Sequence, residues 1–279
     1  TLTIDAQLQF LVQQELVKTI EKYKSSQGAA IIMNPETGDI YALATYPTFE
    51  TTETKHLENV TTKNVAVTES YEFGSAFKAF FALAALEENM VTPDELIDCH
   101  NAATAFVEGR RVNTVPHSVA GTITFSEVIQ KSNNIGIAKI AKRLGTPLYD
   151  HYKKMGFGQK TNIPFPGEQA GFLMHPHQWS KQSVISLSYG YEVSATLLQL
   201  ATAFCIFCNG GHRIFPKLLV DQKTPILEKI YSDQTIQTMR TILQETAESG
   251  TAKYAKVDGY LTIGKTSTAN LLENGVYNP

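Results

Sequence analysis

With 279 residues, 43% hydrophobic and 10% aromatic, the chain can bury one substantial core, which excludes a disordered tail and a mini-protein held by disulfides. Charged residues make up only 18% and the net charge is −3, so no strong field is available to gather nucleic acid. The longest apolar runs, such as Ala79 to Leu86, fall well short of the roughly 20 residues a membrane-spanning helix needs.

The first predicted element is an amphipathic helix. Asp5 is placed to cap it, and Leu8, Leu11, Val12, Leu16, Ile20 and Tyr23 recur at helical spacing. Two strand-like runs follow, Ala29 to Met33 and Ile40 to Thr45. The turn formers of Asn34-Pro35-Glu36-Thr37-Gly38-Asp39 join them into a hairpin. From Phe73 to Leu86 the sequence is apolar on every helical face, the pattern of a helix buried all round. A helical run from Thr124 to Lys131 opens with a Thr124-x-x-Glu127 capping box; another spans Ile135 to Leu144 and ends at Gly145. A helix around Asp233 to Glu248 precedes a strand-like Tyr260-Leu261-Thr262-Ile263.

This order predicts an α+β fold, an antiparallel sheet flanked by helices on both faces. One domain is expected over 1–279, with sheet-bearing segments 1–50 and 212–279 and a helical part 70–211; no repeat, low-complexity tract or linker divides it. Cys99, Cys205 and Cys208 read as small buried hydrophobes, so neither a disulfide framework nor a metal site is expected. The start at Thr1-Leu2-Thr3, without Met or a basic-then-apolar leader, is read as an export signal or anchor removed or left out.

Three short motifs carry chemistry. Lys78 is the only charge on the buried helix, and burial disfavours its ammonium and makes it a usable base near neutral pH. Ser75 lies three residues earlier, on the same face. A serine hydroxyl attacks poorly until a neighbour takes its proton, and here that neighbour sits in the same helical turn. Gly74 suits a tight entry, and the free N–H groups of a helix start can stabilise an oxyanion.

Ser132-Asn133-Asn134 sits at the junction of two helical runs, where a hydroxyl and a carboxamide can project into a cleft; alone, such a triplet is more often a cap or turn. Gly264-Lys265-Thr266-Ser267-Thr268-Ala269 follows the last strand-like run. An edge strand there can pair with an extended peptide while Lys265, Thr266 and Thr268 meet a terminal carboxylate; the plainer reading is a lysine that discourages edge-to-edge aggregation.

In the order S-x-x-K, S-x-N, K-T-x, the three motifs resemble the active-site set of penicillin-binding proteins and serine β-lactamases. Tyr71-Glu72-Phe73-Gly74-Ser75-Ala76-Phe77-Lys78 resembles the Y-E-P-G-S-T-F-K of class B penicillin-binding proteins. Further resemblance lies in Asn34 to Ala42, in Pro166-Gly167-Glu168, in Ser188 to Thr196 running into Gln199, in Asn209-Gly210-Gly211 and in Gly250-Thr251-Ala252.

The resemblance implies the penicillin-binding transpeptidase (β-lactamase-like) fold. It makes Ser75, Lys78, Ser132 and Lys265 catalytic and gives substrate binding to Asn134, Thr266, Ser267 and Thr268. Peptidoglycan stem peptides ending in D-Ala-D-Ala become the substrate and β-lactams the inhibitors, with no cofactor, metal or nucleic acid. It further implies partners among cell-wall synthesis or division proteins and a place outside the cytoplasmic membrane, anchored by an N-terminal segment absent from this chain. Two departures are visible. Ser267 stands where the family has Gly, with a side chain that either crowds the substrate strand or turns away. The chain also stops at Pro279, where family members usually add a hairpin and a helix: either a further segment follows or the sheet is short by its final strands.

The rival readings are a serine β-lactamase or D,D-carboxypeptidase, in which water attacks the acyl-enzyme, and a non-catalytic penicillin sensor or division scaffold. Glu168 is the nearest candidate for a hydrolytic base and is assigned a structural role. His175 and His177 read as a polar loop, and Trp179, Tyr189 and Tyr191 as packing and cleft-wall residues.

Overall fold

The computed structural model describes residues 1–48, 63–223 and 227–269, together with the backbone of 271–273 and 276–278. Residues 49 and 50 of the expected sheet-bearing segment and Pro279 lie outside them. The first half of the described chain runs α1 (Ala6–Tyr23), β1 (Gly28–Met33), β2 (Ile40–Tyr46), α2 (Val65–Thr68), α3 (Phe77–Glu87), β3 (Leu96–Asp98), β4 (Thr104–Val107), β5 (Arg110–Asn113), β6 (Thr122–Thr124) and α4 (Phe125–Gln130). The second half runs α5 (Asn134–Leu144), α6 (Pro147–Met155), β7 (Phe172–Leu173), α7 (Ser183–Ser188), β8 (Val193–Ser194), α8 (Leu197–Phe204), β9 (His212–Arg213), β10 (Glu228–Lys229), α9 (Asp233–Glu248), β11 (Leu271–Glu273) and β12 (Val276–Asn278). The described residues are helices with antiparallel strand pairs, and they divide into two compact units.

One unit comprises residues 1–71, 156–172 and 195–229. Its centre is the β1–β2 hairpin, antiparallel from Gly28↔Tyr46 to Met33↔Ile40. Helices α1, α2 and α8 pack against this hairpin. Asp5 accepts a hydrogen bond from the Leu8 N–H at 2.9 Å, as a helix cap should. The core gathers Ile40, Val67, Ile163 and Leu198. At Gly38, with φ +78°, a Cβ would lie 2.1 Å from the Phe215 carbonyl, so the turn between β1 and β2 admits no side chain. Glu168 is buried in this unit. Its carboxylate accepts from the Thr161 N–H at 2.6 Å, the Thr161 hydroxyl at 2.5 Å and the Asn162 N–H at 3.2 Å.

The other unit comprises 72–155, 173–194 and 230–279. Helix α3 is its axis, with every residue from Phe77 to Leu86 buried, and α4, α5, α6, α7 and α9 pack around it. The apolar sequence on all faces of α3 therefore matches helices on all its sides. Thr124 and Glu127 form the capping box that starts α4, Asn133 caps α5, and Gly145 ends α5 at φ +66°.

Three expectations need correction. Tyr260 to Ile263 form no strand, and the segment up to Ala269 has no regular structure. Tyr260 is 77% exposed and its neighbour Leu261 64% exposed, so neither face is covered. Alternation specifies a strand only where one face is buried against something. The edge strand assigned to Lys265, Thr266 and Thr268 is consequently not there as a ladder. Cys205 is buried, but Cys208 is exposed: the helix ends at Phe204, and Cys208 follows a 3-10 turn over Cys205–Phe207, beside Asn209-Gly210. Finally, the central segment is not helices and loops alone, because β3 pairs with β6 and β4 with β5.

Candidate active site

Ser75 stands in a 3-10 turn, Gly74–Ala76, that leads directly into α3. Gly74 adopts φ +50° and Gly190 φ +85°. A Cβ on Gly190 would lie 2.1 Å from the Gly74 carbonyl oxygen, and one on Gly74 would lie 2.9 Å from the Thr268 carbonyl. Two glycines in contact thus let the backbone of 190 and of 268 close onto the serine-bearing turn.

Lys78 is completely buried. Desolvation holds its amine well below the ordinary lysine value, and the charge of Lys265 adds to the effect. Its Nζ meets the Ser132 carbonyl at 2.6 Å and the Ser132 Oγ at 3.0 Å. From the other side, Lys265 donates to the same Oγ at 3.0 Å and to the Thr266 carbonyl at 2.9 Å. Desolvation lowers Lys265 as well, to about 8. One hydroxyl is thereby shared between two lysine nitrogens, both lowered by burial. Ser132 itself has φ +56°, a conformation that costs a non-glycine residue roughly 1 kcal/mol or more.

The last motif is fastened by side chains where a ladder was expected. Thr266 donates to the Thr251 hydroxyl at 2.9 Å. The Ser267 hydroxyl accepts from the Ala76 N–H at 3.2 Å and donates to the Phe73 carbonyl. Its side chain therefore turns toward the turn that bears Ser75, while the residue still lines the pocket beside it. Asn134 donates through its carboxamide to the Asn113 carbonyl at 2.7 Å.

These residues enclose a pocket of about 290 Å³ whose walls include Ser75, Ser132, Asn134, Thr266 and Thr268. Lys78 and Lys265 are not part of that wall; they reach it through Ser132. The Ser75 hydroxyl opens into the pocket and makes no hydrogen bond with the described residues. Lys78 Nζ meets Ser132, while no hydrogen bond joins it to the Ser75 hydroxyl among the described residues. Tyr189 and Tyr191 line the wall as expected. Val115, His117 and Thr251 line it too and were not singled out as site residues; for Thr251 the available signal was its place in Gly250-Thr251-Ala252. His175 caps the 3-10 turn Pro176–Gln178 that carries His177, and their tilted rings bring the Nδ1 atoms 2.6 Å apart. Among the described residues, no group of three or more His, Cys, Asp or Glu side chains could hold a metal ion.

The family described as penicillin binding protein transpeptidase domain matches residues 28–278. The chain is 32% identical to the stage V sporulation protein D of Bacillus subtilis, over 99% of this chain and 45% of that protein. It is 29% identical to a probable peptidoglycan D,D-transpeptidase, PbpC, of Pseudomonas aeruginosa, over 96% of this chain and 47% of that protein. It therefore spans a little under half the length of these relatives. Among solved structures, the TP domain of Burkholderia pseudomallei penicillin-binding protein 3 superposes with a TM-score of 0.88 at 30% identity, covering 100% of this chain and 80% of that one. Penicillin-binding protein 3 of Mycobacterium tuberculosis, solved with aztreonam, gives 0.90 at 29% identity, covering 98% of this chain and 65% of that one. By sequence and by fold, this chain belongs to the penicillin-binding protein transpeptidase family.

Proposed function

We propose that this chain is one transpeptidase domain over 1–279 that cross-links peptidoglycan stem peptides through a serine acyl-enzyme. The observation that carries the reading is the Ser132 hydroxyl between Lys78 and Lys265 at 3.0 Å each, beside a pocket that also exposes Ser75. Names among the relatives add support, since several are called peptidoglycan D,D-transpeptidases.

In the scheme, neutral Lys78 takes the proton of Ser75, and the Ser75 oxygen attacks the carbonyl of the penultimate D-Ala. The N–H groups of Ser75 and Thr268 hold the oxyanion; neither makes a backbone hydrogen bond among the described residues. The proton now on Lys78 passes through the Ser132 hydroxyl to the departing amine of the terminal D-Ala. Lys265 polarises that hydroxyl while protonated. Asn134 holds a peptide oxygen of the donor, and Thr266 and Thr268 its terminal carboxylate. Ser267 supports the turn under the nucleophile. An amine of a second stem peptide then attacks the acyl-enzyme and restores Ser75. β-Lactams enter by the same acylation.

The hydrolase readings require a base for water. Glu168, their candidate, already accepts three hydrogen bonds from Thr161 and Asn162, as expected of a structural carboxylate. A penicilloyl adduct on this chain is accordingly expected to persist. The domain acts outside the cytoplasmic membrane in this reading, tethered by a segment preceding Thr1 and working with cell-wall synthesis or division proteins. No helix of the described residues is long and apolar enough to cross a membrane.

The test is labelling with a fluorescent penicillin. Ser75→Ala is expected to abolish the label and leave the melting temperature nearly unchanged, because the Ser75 hydroxyl makes no hydrogen bond with the described residues and the backbone bond its carbonyl accepts is kept. Persistent labelling would remove Ser75 from the nucleophile's role.

A further inference from the structure

A second cleft of about 410 Å³ adjoins the active-site pocket. Asn134, Tyr189 and Tyr191 belong to both walls. Beyond them the cleft is lined by Arg110 and Arg111, from the first two positions of β5, and by Glu192. Thr266 and Thr268 line the active-site pocket and not the cleft, so Asn134 stands between the threonines and the arginines.

The two arginines differ in how they are held. Arg110 is half-buried and its Nη1 donates to the Ser186 hydroxyl at 2.5 Å and to the Gln182 carbonyl at 3.0 Å. Its guanidinium also lies over the Tyr189 ring, 5.7 Å from the centroid. Arg111 is exposed and makes no hydrogen bond with the described residues. Neither arginine enters any ion pair found among the described residues, although Glu192 lines the same cleft. A guanidinium fixed in place and lacking a carboxylate is preorganised for an anion, and its planar fork fits a carboxylate with two parallel hydrogen bonds.

We propose that this cleft is a subsite for a carboxylate that the donor peptide carries on the residue preceding D-Ala-D-Ala. The inference rests on the transpeptidase reading, which sets the peptide's direction. With the terminal carboxylate at Thr266 and Thr268 and a peptide oxygen at Asn134, the chain ahead of the scissile bond runs toward Arg110 and Arg111. A neutral side chain in that position would leave both guanidinium charges in the cleft without a carboxylate partner. An anionic one satisfies them and sets the donor's register before Ser75 attacks. The arginines would select during acylation, the step in which the donor enters.

The experiment compares two donor thioesters, N-acetyl-glutamyl-D-Ala-D-thiolactate and its N-acetyl-glutaminyl counterpart. Acylation rates are measured at low salt for the wild type, Arg111→Gln and Arg110→Lys, and transfer to glycine against glycinamide as acceptor is measured in parallel. The wild type is expected to be acylated about tenfold faster by the glutamyl donor, since one charge-assisted pair discriminates by about that factor. That ratio should fall toward one in Arg111→Gln, fall part-way in Arg110→Lys, which keeps the charge and loses the fork, and shrink with added salt. Equal rates for the two donors in a wild type that fluorescent penicillin still labels would overturn the subsite alone. So would a preference confined to the acceptor, because it would place the carboxylate on the other peptide. A wild type that neither penicillin nor either thioester acylates would overturn the transpeptidase reading and this subsite with it.

Discussion

Helix α3 and the segment 260–269 both bring a lysine to the Ser132 hydroxyl, and they are held in opposite ways. α3 is buried from Phe77 to Leu86, and the helices around it fix Lys78, whose hydrogen bonds among the described residues go to Ser132. The later segment has no ladder, exposes Tyr260 and Leu261, and is fixed near Lys265 by hydroxyls that reach Thr251, Phe73 and Ala76. The difference also appears in the amines. Complete burial moves Lys78 well below its ordinary value, while partial burial leaves Lys265 at about 8. Both amines are thus displaced toward the uncharged form, Lys78 by burial and by the charge of Lys265, and Lys265 by burial, the direction that a base needs.

Three measurements would break or sharpen this contrast. Lys78→Met gives the largest expected effect, a loss of acylation by about 10³-fold or more, as for removal of a base acting with its nucleophile. The same variant should be more stable than the wild type. Because the folded-state value of Lys78 lies below its unfolded value, the unfolded chain binds more protons in the window between them. The native state therefore gains stability as pH rises through that window and loses it as pH falls. The advantage of Met at 78 should be greatest on the acid side and shrink toward pH 10.5, the ordinary value of this amine. A lower melting temperature for Lys78→Met at pH 7 would contradict the account.

Next in size is Gly190→Ala, with a methyl 2.1 Å from the Gly74 carbonyl and a backbone at φ +85°. It should cost about 3 kcal/mol of stability and slow labelling of Ser75, read by denaturant unfolding and by labelling kinetics. Wild-type stability in that variant would show that the two glycines do not press on each other. The smallest effect is the alkaline limb of acylation. Lys265 must keep its proton to polarise Ser132, so the rate should be full below its value of about 8 and fall about tenfold per pH unit above it. Lys265→Arg should carry the limb beyond the measurable range, and an unchanged limb would assign it to another group.

What could be read from the sequence was what short range determines. The Asp5 cap, the Thr124/Glu127 box and the Asp233–Glu248 helix follow from spacing and capping chemistry within a few residues. The all-apolar run around Lys78 announced a buried lysine because nothing on any face of that helix could face water. What failed was long-range. Tyr260 to Ile263 have a strand's alternation, and whether a strand forms depends on a partner that the pattern does not name. The approach of Gly190 to Gly74 joins positions 116 residues apart, and Ser132 in a left-handed conformation looks in sequence like any serine. The β4–β5 hairpin that presents Arg110 and Arg111 did leave a signal, Glu108-Gly109 between Thr104-Ala105-Phe106-Val107 and Arg110-Arg111-Val112-Asn113. The two turn residues have φ of +48° and +79°.

The hydroxyl of Ser267 has a consequence for how the molecule breathes. It touches both peptide groups that flank the Ser75 turn, Phe73 on one side and Ala76 on the other. A fluctuation that lifts residues 265–268 must break both Ser267 contacts at once and leaves the turn held by its own backbone bond from Ala76 to Phe73. The amide of Ala76 also donates to the Phe73 carbonyl, so in deuterium it should exchange faster, though still protected, when Ser267→Gly removes the second acceptor.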